Sequence, residues 1–118
     1  MNKQKARYLS RQELSIKYRA TIKDVRLNTH NKLPHELAKM LVAWEYQKQG
    51  KHVVTEAIFN NGSRADVLVL DDMKIIEVLY SEKLEDAKKK LDYYPECFDI
   101  EFIDASEILE NNKIKIGE

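Results

Sequence analysis

Arg64-Ala65-Asp66-Val67-Leu68-Val69-Leu70-Asp71-Asp72-Met73-Lys74-Ile75-Ile76-Glu77-Val78-Leu79 decides how this chain folds. Two apolar, β-branched runs flank an Asp-Asp pair, which reads as adjacent strands, Ser63 to Leu70 and Met73 to Tyr80, joined by a short turn. Each strand carries one carboxylate at mid-length, Asp66 and Glu77. An unpaired buried charge is costly, so a sheet holds carboxylates there only where something binds them. Side chains alternate with a period of two. Arg64, Asp66, Leu68 and Leu70 therefore share one face of the first strand, and Ile75, Glu77 and Leu79 one face of the second. Two strand carboxylates side by side are a common way to hold a divalent cation. Salt bridges from Asp66 and Glu77 to Arg64 and Lys39 are the purely structural alternative.

Working outward, His52 to Phe59 is a strand closed onto the first by Asn60-Asn61-Gly62, a turn in which Asn-Gly supplies positive φ cheaply. Upstream, Pro34 opens a helix. Its stripe is Leu37, Met40, Leu41 and Trp44, interrupted by Lys48, and Gly50 stops it. Downstream, Ser81 caps a helix with the stripe Leu84, Ala87, Leu91 and Tyr94, which Pro95 ends. Phe98 to Ile103 is a fourth strand, and Ala105 to Glu110 a short helix. Residues 113–116 read as a short edge strand. The crossover from the third strand to the fourth predicts a parallel pair. The fold class is α/β, a central four-stranded mixed sheet flanked by helices. Trp44, Tyr46, Tyr93 and Tyr94 read as core and packing aromatics.

The 118 residues fit one α/β domain at 33–118 preceded by a basic, partly helical arm at 1–32. Net charge is zero, but residues 1–32 hold nine Lys/Arg against two Asp/Glu, and the remainder eleven against eighteen. Lys3, Lys5, Arg7, Arg11, Lys17 and Arg19 are the arm's candidate nucleic-acid contacts; a solvated tail, or an arm packed on its own acidic body, is the alternative. Residues 12–27 have a loose helix-turn-helix spacing with Arg19 where the turn glycine belongs, so a helical arm is the simpler reading. Lys88-Lys89-Lys90 reads as a solvated helix face or a phosphate rail. The single cysteine, Cys97, precludes an internal disulfide and fits a reducing, cytoplasmic setting. His30, His52 and Cys97 lack zinc spacing. No apolar run approaches the roughly 20 residues of a membrane span, and no apolar signal segment follows Met1–Lys5.

The order helix, three meandering strands, helix, strand, with Asp66 and Glu77 on the middle strands, resembles the PD-(D/E)xK nuclease superfamily, the restriction-endonuclease-like fold. Over about residues 34–104 it is most similar to small archaeal-type Holliday junction resolvases and related viral nucleases. The resemblance implies an αβββαβ core and an endonuclease acting on DNA with Mg²⁺ or Mn²⁺. It implies Asp66, Glu77 and the Val78 carbonyl as metal ligands, and Glu36 as the helix glutamate of the catalytic set. It leaves a homodimer as an option. The family's Glu-x-Lys lysine is replaced by Leu79. Arg64, two residues from Asp66 on the same face, is the first positional substitute, with Lys39 and Lys83 after it. His35 reads as an exposed helix-start histidine, and Tyr80, Ser81 and Glu82 as residues that could line the site. A fold kept for binding nucleic acid or a protein partner, without catalysis, is the competing reading.

Overall fold

The computed structural model describes residues 1–15 and 25–113. It is an α/β structure with a four-stranded mixed sheet and, among the described residues, four α-helices. They are α1 (Lys3–Glu13), α2 (Leu33–Lys48), β1 (Val53–Ile58), β2 (Arg64–Val69), β3 (Lys74–Leu79), α3 (Leu84–Lys88), β4 (Asp99–Asp104) and α4 (Ala105–Asn111). Single 3₁₀ turns lie at Leu70–Asp72 and Leu91–Tyr93.

The strands are ordered β1-β2-β3-β4. The first two pairs are antiparallel and β3–β4 is parallel, as the crossover predicts. Gly62 takes the positive φ of the β1–β2 hairpin (+85°). Pro34 lies in the first turn of α2, and Gly50, at φ +80°, follows its last turn. One core cluster gathers Leu14, Val54, Phe59, Leu68, Leu70, Ile75, Tyr94 and Phe98. A second, under α2, gathers Val42, Ala43, Val53, Val67, Val69 and Ile76.

The regular ladder fails at one place, and the failure positions the site. Glu56 in β1 adopts φ +54°, the left-handed region that a glutamate enters only at a cost. The β1–β2 pairing runs through Thr55↔Val67 and resumes at Ala57↔Ala65, skipping Glu56 and its register partner Asp66. The β2–β3 pairing ends at Val67↔Ile76, one residue short of Asp66 facing Glu77. From there side chains take over the bonding. The Asp66 N–H donates to Glu77 Oε2 (3.3 Å) and the Val78 N–H to Asp66 Oδ2 (2.9 Å).

Two expectations change. The helix after Ser81 was expected to continue to Tyr94. Instead Ser81 sits at φ +63°, α3 starts after Lys83 with no side-chain cap, and it ends at Lys88. The chain leaves helical geometry so that Tyr94 can enter the core and donate its hydroxyl to the Arg64 carbonyl (3.2 Å). Tyr93, beside Tyr94, stands 67% exposed rather than packed; independently, Trp44 on α2, against which Lys48 Nζ lies 4.3 Å from the ring centroid, is also exposed.

The described part of residues 1–32 is built into the body. Ser10 donates to the Leu70 carbonyl (3.0 Å), Leu14 is fully buried and bridges to Phe59, and the Ser15 N–H donates to the Ile58 carbonyl (2.9 Å). Most of the helix-turn-helix-like span and, beyond Lys113, the strand expected over 113–116 lie outside the described residues; Lys113 itself is in a turn. Among the described residues no helix is long and apolar enough to cross a membrane.

Candidate active site

The opened ladder forms the floor of a cavity of about 450 Å³ lined by Asp66, Glu77, Val78 and Leu79 from the strands, His35 from α2, and Lys90 and Tyr94 from the far side. Arg64 sits at its edge, and His30, Asn31 and Lys32 come from the segment before α2. Tyr80, Ser81 and Glu82 line it as well, as expected.

Asp66 and Glu77 bond to each other and share the cavity, yet their proton affinities diverge. Burial, and then the negative charge of Asp66, pushes Glu77 up to about 10, so it is protonated at neutral pH. Burial works against ionised Asp66 too, but bonds from His35, from Glu77 and from the Val78 N–H outweigh it and hold its pKa below the ordinary carboxylate value. The pair therefore carries one proton and one charge.

His35, expected as an exposed helix-start residue, is a half-buried bridge. Its Nε2 lies 3.3 Å from Asp66 Oδ2 and its Nδ1 2.7 Å from Glu36 Oε2. Burial lowers its proton affinity, but the two carboxylates more than offset that and raise it above the ordinary histidine value. The only sequence signal was its place in the first turn of α2, beside Glu36. That gives no hint of Asp66, which is 31 residues away.

Glu36 itself is not free for a ligand. Its oxygens accept from Lys39 Nζ (2.5 Å), the Asn28 N–H (2.5 Å), Asn31 Nδ2 (3.1 Å) and His35. Burial is outweighed by these partners, and its pKa is lowered. Fully buried Lys39 also lies 3.9 Å from Glu56, and Asn28 Nδ2 donates to Glu56 (2.6 Å). Glu36, Lys39 and Glu56 thus lash the segment around Asn28 to α2 and β1, which brings His30, Asn31 and Lys32 to the cavity rim.

Of the lysine substitutes, Arg64 borders the cavity, with no side-chain partner among the described residues. Lys39 is consumed by the Glu36–Glu56 lock. Lys83 does not line the cavity. Of the expected nucleic-acid contacts, Lys3 and Lys5 are exposed. Arg7 donates through Nε and Nη2 to Asp71 (2.6 and 2.8 Å), and Arg11 lies 3.3 Å from His52 Nδ1. Lys17 and Arg19 lie outside the described residues.

Comparison of the chain with family models, with curated proteins and with solved structures finds no match.

Among the described residues no three His, Cys, Asp or Glu side chains form a ready-made metal cage. The donor set in the cavity is Asp66, Glu77 and the main chain at Val78. Two carboxylates forced to share a proton suit a divalent cation that replaces that proton, with water completing the shell.

Proposed function

We propose that this chain is a metal-dependent phosphodiester hydrolase of restriction-endonuclease-like fold, acting on DNA, with a site that lacks the family's lysine. The observation that carries the reading is the Asp66–Glu77 pair at a break in the sheet, inside a cavity whose lining also includes Lys32, Arg64 and Lys90, the last paired with Glu82. An acidic floor under a cationic rim suits a cation and a phosphate held together. Asp66, Glu77 and the Val78 carbonyl would hold Mg²⁺ or Mn²⁺, which supplies Lewis acidity toward the phosphate and makes bound water more acidic. His35 fixes the orientation of Asp66. Arg64 faces the charge that builds on the phosphate; a guanidinium stays protonated, so it stabilises charge without serving as a base. Glu36 anchors Lys39 and His35 and holds the helix in place without touching the metal. A homodimer would suit a branched DNA substrate.

One observation favours the competing reading, a fold kept for binding alone: half-buried Leu79 brings no cation to the end of β3. Incubating the pure chain with branched and linear DNA plus Mg²⁺ or Mn²⁺ separates the two. Cleavage is expected. Asp66→Ala should abolish it, Arg64→Ala should lower it at least about 100-fold, the usual loss for one transition-state donor, and Leu79→Lys should raise it. An inert native chain that Leu79→Lys also leaves inert would make this a binding protein.

A further inference from the structure

A second cavity, of about 370 Å³, adjoins the first and shares Arg64, Lys90 and Tyr94 with it. Its other walls are Asn61, Gly62 and Ser63 of the β1–β2 hairpin and Tyr93. Tyr93 is unusual for an exposed aromatic because its backbone is fixed from both sides. Its N–H donates to the Lys90 carbonyl (3.0 Å), and Asn61 Nδ2 donates to its own carbonyl (2.7 Å). The next residue is anchored as well: the Tyr94 ring packs edge-on against Phe59 and its hydroxyl bonds Arg64. The break between α3 and the 3₁₀ turn therefore places a rigidly based phenol ring, 67% exposed, on the wall of this second cavity. Beside it are two cations. Arg64 has no side-chain partner among the described residues, and Lys90 is bonded to Glu82 (3.3 Å) while lying close enough to Glu77 for its charge to be felt there.

An aromatic face with flanking cations, continuous with the cavity that holds Asp66 and Glu77, has the composition of a site for an unpaired nucleotide: the ring stacks on a base and the cations track the backbone. A base inside a duplex offers no such face. We infer that Tyr93, with Arg64 and Lys90, forms a stacking subsite for the nucleotide flanking the scissile phosphate, so that the strand is engaged unpaired, as at a flap, a frayed end or an opened junction. This rests on the hydrolase reading for its connection to the scissile phosphate, but the stacking is measurable without cleavage.

The test is fluorescence anisotropy with Ca²⁺ in place of Mg²⁺, using a short labelled oligothymidylate and a blunt duplex of the same length. The native chain should bind the oligothymidylate more tightly than the duplex. Tyr93→Ala should weaken oligothymidylate binding about tenfold, the scale of one lost stack, and leave the duplex unchanged, while Tyr93→Phe should bind as the native chain does. Thermal melting of each variant guards against misfolding, and Tyr93→Ser serves if Tyr93→Ala fails to fold. Equal affinity of the native chain for both DNAs, or Tyr93→Ala binding oligothymidylate as well as native, overturns the subsite. The hydrolase reading fails separately, when neither the native chain nor Leu79→Lys cuts branched or linear DNA with Mg²⁺ or Mn²⁺.

Discussion

Asp66 and Glu77 are near-identical groups held in opposite protonation states. Their pKa values move apart because the sheet gives Asp66 the donors, His35 and the Val78 N–H, and leaves Glu77 buried beside its charge. Both a raised Glu77 and a raised His35 favour the protonated form in the folded chain. Their stability contributions are therefore full below their unfolded values, near 4.3 and 6.5, and are lost as pH rises, for Glu77 toward about 10. Asp66, lowered, contributes above its unfolded value and loses that contribution only in acid. Metal-free protein should thus lose melting temperature between pH 6 and 9. Glu77→Gln, which keeps the shape and cannot ionise, should flatten that slope and stabilise the chain at pH 8 by roughly 0.5–2 kcal/mol, the range common to single stabilising substitutions. Calorimetric melts across that pH range decide it; a variant no more stable than native, with the same slope, would mean that Glu77 is not held protonated. The Asp66–Glu77 juxtaposition was legible in the sequence because eleven residues, a short turn and a period of two fix it. His35 was not, because its contact with Asp66 depends on where α2 crosses the sheet, which local pattern does not encode.

At the scale of elements, the order of strands and the parallel crossover followed from hydrophobic period and turn residues. The ladder break did not, since it depends on Glu56 taking φ +54° opposite Asp66. Lys39 shows how a candidate role changes with packing. From sequence it was one turn after Glu36 and available to the site. In the fold it is fully buried between Glu36 and Glu56 and ties α2 to β1 and to the Asn28 segment. Removing it leaves two carboxylates without their cation, so Lys39→Met should cost roughly 3–5 kcal/mol, as when one partner of a buried pair is deleted. Urea unfolding measures this directly. A Lys39→Met chain that keeps native stability but loses cleavage would instead make Lys39 the replacement for the lysine absent at Leu79. The break after α3 was equally hidden: Leu84, Ala87, Leu91 and Tyr94 keep helical spacing, but Tyr94 reaches the core only if the helix stops early.

Across the whole molecule, the charge imbalance between residues 1–32 and the rest is plain in the sequence, but what the positive charges do is not. Arg7 is spent on Asp71, 64 residues away, and Leu14 is core, so the described N-terminal residues stabilise the domain as well as charging its surface. The sheet, its break and the lock behind α2 converge on one feature, the proton-sharing pair that a divalent cation would relieve. The most direct test is isothermal calorimetry of Mn²⁺ binding to the native chain and to Asp66→Ala, each in two buffers of different ionisation enthalpy. Native protein should bind the ion at one site with heat that depends on the buffer, because the Glu77 proton is released, and Asp66→Ala should not bind. Equal, negligible heats in both proteins would contradict the metal site and leave Asp66 and Glu77 as a structural pair.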